Sequence, residues 1–121
     1  LRRQRQMCIR DRNNGRCLGF YQAGGRVYVV SLGEQRVLWR REFRYVKTAR
    51  FSRDGKSVYL IGTEKDSDVH TLIVFDANTG REMGKIKNVW GETIWESGNY
   101  IVVLNKREAK AYKVSIIKEE E

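Results

Sequence analysis

The chain has one histidine, His70, which opens an apolar run, and an imidazole acting as general base or metal ligand needs a partner positioned beside it. No nucleophile elbow, metalloprotease signature or phosphate loop is present to supply that partner, so His70 reads as a residue at a loop end. Acids gather at Glu64-Lys65-Asp66-Ser67-Asp68, where two carboxylates one residue apart, Asp66 and Asp68, could help hold a hard cation. The further ligands and the glycine of a calcium loop are missing, so a solvated loop is expected and no metal site. Arg36, Arg40, Arg41 and Arg44 interleave with Trp39, Phe43 and Tyr45, a mixture that can stack on and neutralise a nucleic-acid strand. In an extended strand, however, Arg40, Glu42 and Arg44 fall on one face and Trp39, Arg41 and Phe43 on the other. No uniform basic stripe forms, which disfavours nucleic acid as a partner and favours a solvated outer strand. Trp90 and Trp95 read as packing between sheets. Catalytic residues, cofactor-binding residues and cofactors are therefore all expected to be none, and the chain leans away from being an enzyme.

These side chains need a scaffold, and the composition supplies material for one. Hydrophobic residues make up 40% of 121 and aromatics 11%, enough for a core and too much for a disordered chain. No apolar run approaches the roughly 20 residues that a bilayer-spanning helix requires, so no membrane partner is expected. Cys8 and Cys17 are spaced too widely for a metal knuckle or a redox pair. No disulfide framework is expected, which leans localisation toward the cytoplasm. The net charge is +9, but residues 1–12 carry five arginines against Asp11 and so hold +4 of it. That segment has no strand or helix period. Its Arg-Gln-Arg-Gln-Met-Cys-Ile-Arg-Asp-Arg string resembles a translated sequencing adapter, so residues 1–12 are expected to be non-native or disordered and outside the fold.

From residue 13 onward, short apolar runs alternate with Gly-containing turns: Ala23-Gly24-Gly25, Gly33-Glu34-Gln35, Asp54-Gly55, Asn78-Thr79-Gly80 and Ser97-Gly98-Asn99. Proline is absent, so turns must be built from Gly, Asn, Asp and Ser; Asp54, Gly55, Asp76, Thr79 and Gly80 are the expected structural turn residues. Consecutive antiparallel hairpins are predicted, with a helix over 84–93 possible but not favoured. The chain also repeats. Arg26-Val-Tyr-Val-Val-Ser31 matches Thr71-Leu-Ile-Val-Phe-Asp76 at a shift of 45, and Val58-Tyr-Leu-Ile61 matches Ile101-Val-Val-Leu104 at a shift of 43. Val27–Leu32, Val58–Ile61, Leu72–Phe75 and Tyr100–Leu104 are apolar on both alternating faces, which predicts sheets covered on both sides. Strands 37–43 and 81–87, rich in charge, are expected at the rim.

Three stretches carry a resemblance. Phe51-Ser-Arg-Asp-Gly-Lys-Ser-Val-Tyr-Leu60 resembles the hairpin between the first two strands of a WD40-like or YVTN-type propeller blade. Leu72-Ile-Val-Phe-Asp76-Ala-Asn-Thr-Gly80 resembles the turn between the last two, shared with quinoprotein-like repeats, and Val37-Leu-Trp39-Arg40 resembles the tryptophan that follows that turn. The resemblance implies an all-β fold, a β-propeller fragment of consecutive four-stranded antiparallel meander blades. On this reading residues 13–45 form a partial blade without its innermost strand. Residues 46–88 form a complete blade, 89–117 a partial one, and 118–121 a charged tail. It further implies a non-catalytic protein-interaction scaffold that continues into further blades or self-associates. The alternative is a propeller domain of an enzyme, a quinoprotein-like dehydrogenase or a propeller-gated peptidase, with its catalytic residues outside this segment.

Overall fold

The computed structural model describes the backbone of residues 2–10 and 15–115 and the side chains of residues 17–115. Among the described residues the chain is all-β. The strands are β1 Arg2–Arg10, β2 Gly15–Ala23, β3 Arg26–Ser31, β4 Arg36–Glu42, β5 Tyr45–Phe51 and β6 Ser57–Thr63. They continue with β7 His70–Asp76, β8 Glu82–Lys87, β9 Thr93–Ser97, β10 Tyr100–Leu104 and β11 Ala109–Lys113. Every pairing is antiparallel between sequence neighbours, giving three meander sheets: β1-β2-β3-β4, β5-β6-β7-β8 and β9-β10-β11. Short apolar strands joined by connections of two to six residues favour this topology, since within a sheet each short reversal returns the chain beside the strand it has just left. Window 84–93 is divided between β8 and β9 and forms no helix.

The sheets stack face to face. Leu18, Phe20, Val27, Val29 and Trp39 of the first pack on Ala49, Phe51, Val58, Leu60, Ile73 and Phe75 of the second. On the other side of the second sheet, Tyr59, Ile61, Leu72 and Val74 pack on Ile94, Ile101 and Val103 of the third. The middle sheet is thus covered on both sides, and every residue of β6 is buried. The outer sheets correct the expectation of two covered faces: along β3 and β10 buried residues alternate with partly exposed ones, because only one face of each sheet has a neighbour. Trp95, expected between sheets, lies on the uncovered face of the third and is 58% exposed.

The residues before β2 also enter a sheet. Arg2–Arg10, set aside as non-native or disordered, form β1 and pair with β2 from Arg2↔Ala23 to Arg10↔Gly15. The first sheet therefore has four strands and not three. Ladder hydrogen bonds use backbone groups that every residue carries, so a free strand edge can recruit a segment without a hydrophobic period. Cys17 is disulfide-bonded, contrary to the expectation of no cross-link, and the residue opposite it in the ladder is Cys8. The third sheet ends at Lys113, short of the expected Ile117. Residues 116–117 and the expected charged tail, 118–121, lie outside the described residues.

Candidate interaction surface

A meander reverses at every connection, so its connections alternate between two ends of the stack. At one end lie the turns 32–35, 52–56, 77–81 and 98–99, and at the other lie 24–25, 43–44, 64–69, 88–92 and 105–108. The five expected turn residues all belong to the first end. Asp54 Oδ1 accepts from the Ser52 hydroxyl at 2.6 Å and from the Lys56 N–H at 3.0 Å, while Gly55 takes a φ of 72°. Asp76 Oδ1 accepts from the N–H groups of Asn78 and Thr79 at 2.8 and 3.1 Å, and Thr79 Oγ1 accepts from the Arg81 N–H at 3.2 Å. These are backbone-satisfying turns in which each carboxylate is spent on local donors.

The second of these turns is also a dock. The Trp39 indole N–H donates to the Ala77 carbonyl at 2.8 Å, and an Arg41 guanidinium N–H donates to the Gly80 carbonyl at 2.8 Å. Gly80, with a φ of 74°, lies so close under the indole that a Cβ there would stand 2.6 Å from a ring carbon. Trp39 and Arg41 share the face turned to the second sheet, as the alternation along the strand predicts. The third sheet is tied differently: Arg50 donates to the Ile94 carbonyl at 2.6 Å, and Glu96 accepts from the Arg53 backbone N–H at 2.7 Å and from the Tyr59 hydroxyl at 3.3 Å. Burial, with the Glu96 charge beside it, pushes the Tyr59 phenol well above its ordinary range.

The chemistry-bearing side chains lie at the opposite, loop end. The run 64–68 is held in ion pairs: Glu64 with Lys85 at 3.2 Å and Asp68 with Arg44 at 2.8 Å, while Lys65 within the run pairs with Glu42 at 2.7 Å. The Lys65 ammonium, by hydrogen bond and by charge, holds the Glu42 carboxyl below its ordinary range. Asp66 and Asp68 are not joined by a third ligand, and among the described residues no group of three or more metal-ligating side chains is present. His70 does have neighbours, and they are aromatic. Its ring meets Trp90 edge to face at 4.3 Å and Tyr45 at 6.1 Å, and the Lys47 ammonium lies 5.6 Å from the centre of the Trp90 ring. Trp90 is 51% exposed and Tyr45 47%.

Trp90, Asn88, Glu92, Tyr112 and the 105–108 hairpin line a cavity of about 660 Å³ at this end. A second, of about 620 Å³, opens between Gly24–Gly25, Arg44–Lys47 and Glu92–Thr93. Asn105 shapes the first wall: its side-chain oxygen accepts from the N–H groups of Arg107 and Glu108 at 2.8 and 3.0 Å, and its amide donates to the Trp90 carbonyl at 3.4 Å. Sequence reasoning dismissed His70 as a loop end and Trp90 as packing, and so missed this cluster. One signal for it was in the repeat, because the shift of 45 places Tyr45 on Trp90, an aromatic entering the first strand of each copy. Comparison with family models and with curated proteins finds no match to this chain.

Proposed function

We propose that this chain is a segment of a β-propeller, built from repeats of the WD40-like, YVTN or quinoprotein-like kind, and that it serves as a non-catalytic scaffold for a protein partner. Supporting the architecture, the strands matched by the 43- and 45-residue shifts occupy equivalent positions: β3 and β7 are third in their sheets, and β6 and β10 second in theirs. The observation that carries the function is the half-exposed Tyr45 and Trp90 gathered with His70 and Lys47 at the loop end. Large rigid aromatics with a polar rim offer contact area at low entropic cost, which is how protein contact surfaces are anchored. The hydrogen-bonded turns at the opposite end leave little for a partner to use.

The test is selection of peptides from a displayed library on the whole chain, followed by amide chemical-shift mapping of the bound state. Shifts concentrated at 45–47, 70, 88–92 and 105–108, with binding weakened about tenfold or more by Trp90→Ala, are expected of an anchor residue. Failure to enrich any peptide, or a footprint on 52–56 and 77–81, would refute the reading.

A further inference from the structure

The two uncovered faces of the stack are unlike each other, and the repeat says how they are related. In the middle sheet, the face bearing Leu60, Ile73 and Phe75 is buried against the sheet before it, and the face bearing Tyr59, Ile61 and Val74 against the sheet after it. By the 45-residue shift, Tyr28 and Val30 of the first sheet are the equivalents of Ile73 and Phe75. They lie on its uncovered face, beside Val37, which is 50% exposed. By the 43-residue shift, Val102 and Leu104 of the third sheet are the equivalents of Tyr59 and Ile61. They too lie on an uncovered face, with Trp95 opposite Val102 and Tyr100 close by.

One end of the stack thus presents a face of the kind that is buried against a preceding sheet, and the other a face of the kind that is buried against a following one. We infer that two copies of this chain associate head to tail, the third sheet of one stacking on the first sheet of the other. This continues the packing already made twice within the chain. It rests on the stacking and the repeat alone and is independent of the loop-end surface. Because the two faces differ, the contact is heterologous and its rotation must close on itself to give a discrete assembly. Contiguous exposed apolar side chains such as Val37 on one face and Trp95 and Tyr100 on the other commonly mark an interaction surface when they lie together.

Sedimentation equilibrium of the whole chain tests the inference. The expected result is a discrete species at a multiple of the 14.2 kDa chain mass. Trp95→Glu and Val37→Glu each spoil one face with an exposed charge, and each alone should sediment at 14.2 kDa while keeping the far-ultraviolet dichroism of the folded β chain. Mixed in equal amounts, they retain one good face each, so assembly should return and stop at two copies. Trp90→Glu, at the loop end, should leave the assembly unchanged. A wild-type chain that stays at 14.2 kDa overturns the inference, as does an assembly that survives Trp95→Glu or a mixture that does not reassemble.

Discussion

The contact between Trp39 and the Asp76–Gly80 turn joins the first sheet to the second, and its parts can be removed one at a time. Trp39 is 8% exposed and its ring centre lies 5.5 Å from that of Phe75. Trp39→Phe keeps an aromatic but deletes the N–H donor, leaving the carbonyl of the buried Ala77 unpaired at a cost of about 1–3 kcal/mol. Trp39→Ala removes the ring as well and should cost about 3–5 kcal/mol. Gly80→Ala meets two separate penalties: about 1–2 kcal/mol for a Cβ in the left-handed region, and about 1–3 kcal/mol for pushing the indole aside. Only the second depends on Trp39. In the Trp39→Ala background, Gly80→Ala should therefore cost the backbone part alone, giving a coupling of about 1–3 kcal/mol in the double-mutant cycle. Urea unfolding followed by near-ultraviolet dichroism reads it. At a slope of about 2 kcal/mol/M, the loss from Trp39→Ala moves the midpoint down by about 2 M. Coupling below about 0.5 kcal/mol would refute the contact as drawn, because substitutions that do not touch are additive to within that margin.

Three further outcomes follow from individual atoms. The Thr71 hydroxyl is fully buried and has no hydrogen-bond partner among the described residues, so Thr71→Val, which keeps the shape, should stabilise by about 1 kcal/mol and raise the melting temperature by about 4 °C; a fall would refute it. Tyr59 has a phenol pKa raised by burial and by Glu96, so its contribution is fully present below the unfolded value of about 10 and is lost as pH rises above it. Denaturation midpoints should drop above that pH, and less steeply in Tyr59→Phe; parallel profiles for the two proteins would contradict the assignment. Gly25→Ala should destabilise by about 1–3 kcal/mol in urea melts, because its Cβ would stand 2.1 Å from the Phe43 carbonyl oxygen, a backbone atom with no rotamer to move; an unchanged midpoint would show that this crossing is looser.

Most of the strands from β2 to β10 were legible in the sequence because short apolar runs and glycine turns are local signals, and a chain without proline has few other ways to reverse. The pairing of β1 with β2 was not legible, since backbone ladders ask nothing of side-chain pattern and only the free edge of β2 makes room for it. Nor was the exposure of Trp90 and Trp95, because an aromatic in a strand or its entry has the same local sequence whether or not a neighbouring sheet covers it. The division of labour between the two ends explains why the motif residues were easy to find and the candidate surface was not. Asp54, Gly55, Asp76, Thr79 and Gly80 are constrained by a turn of fixed hydrogen-bond geometry, so their types and spacing are visible one hairpin at a time. Tyr45, Lys47, His70 and Trp90 meet only because three sheet connections emerge side by side, and their spacing in the chain reflects strand length and not chemistry. A partner at the loop end would therefore read side chains that the hairpins position but do not need. Substitutions there should alter binding while leaving the urea midpoint close to wild type, whereas changes at the turn end should do the reverse.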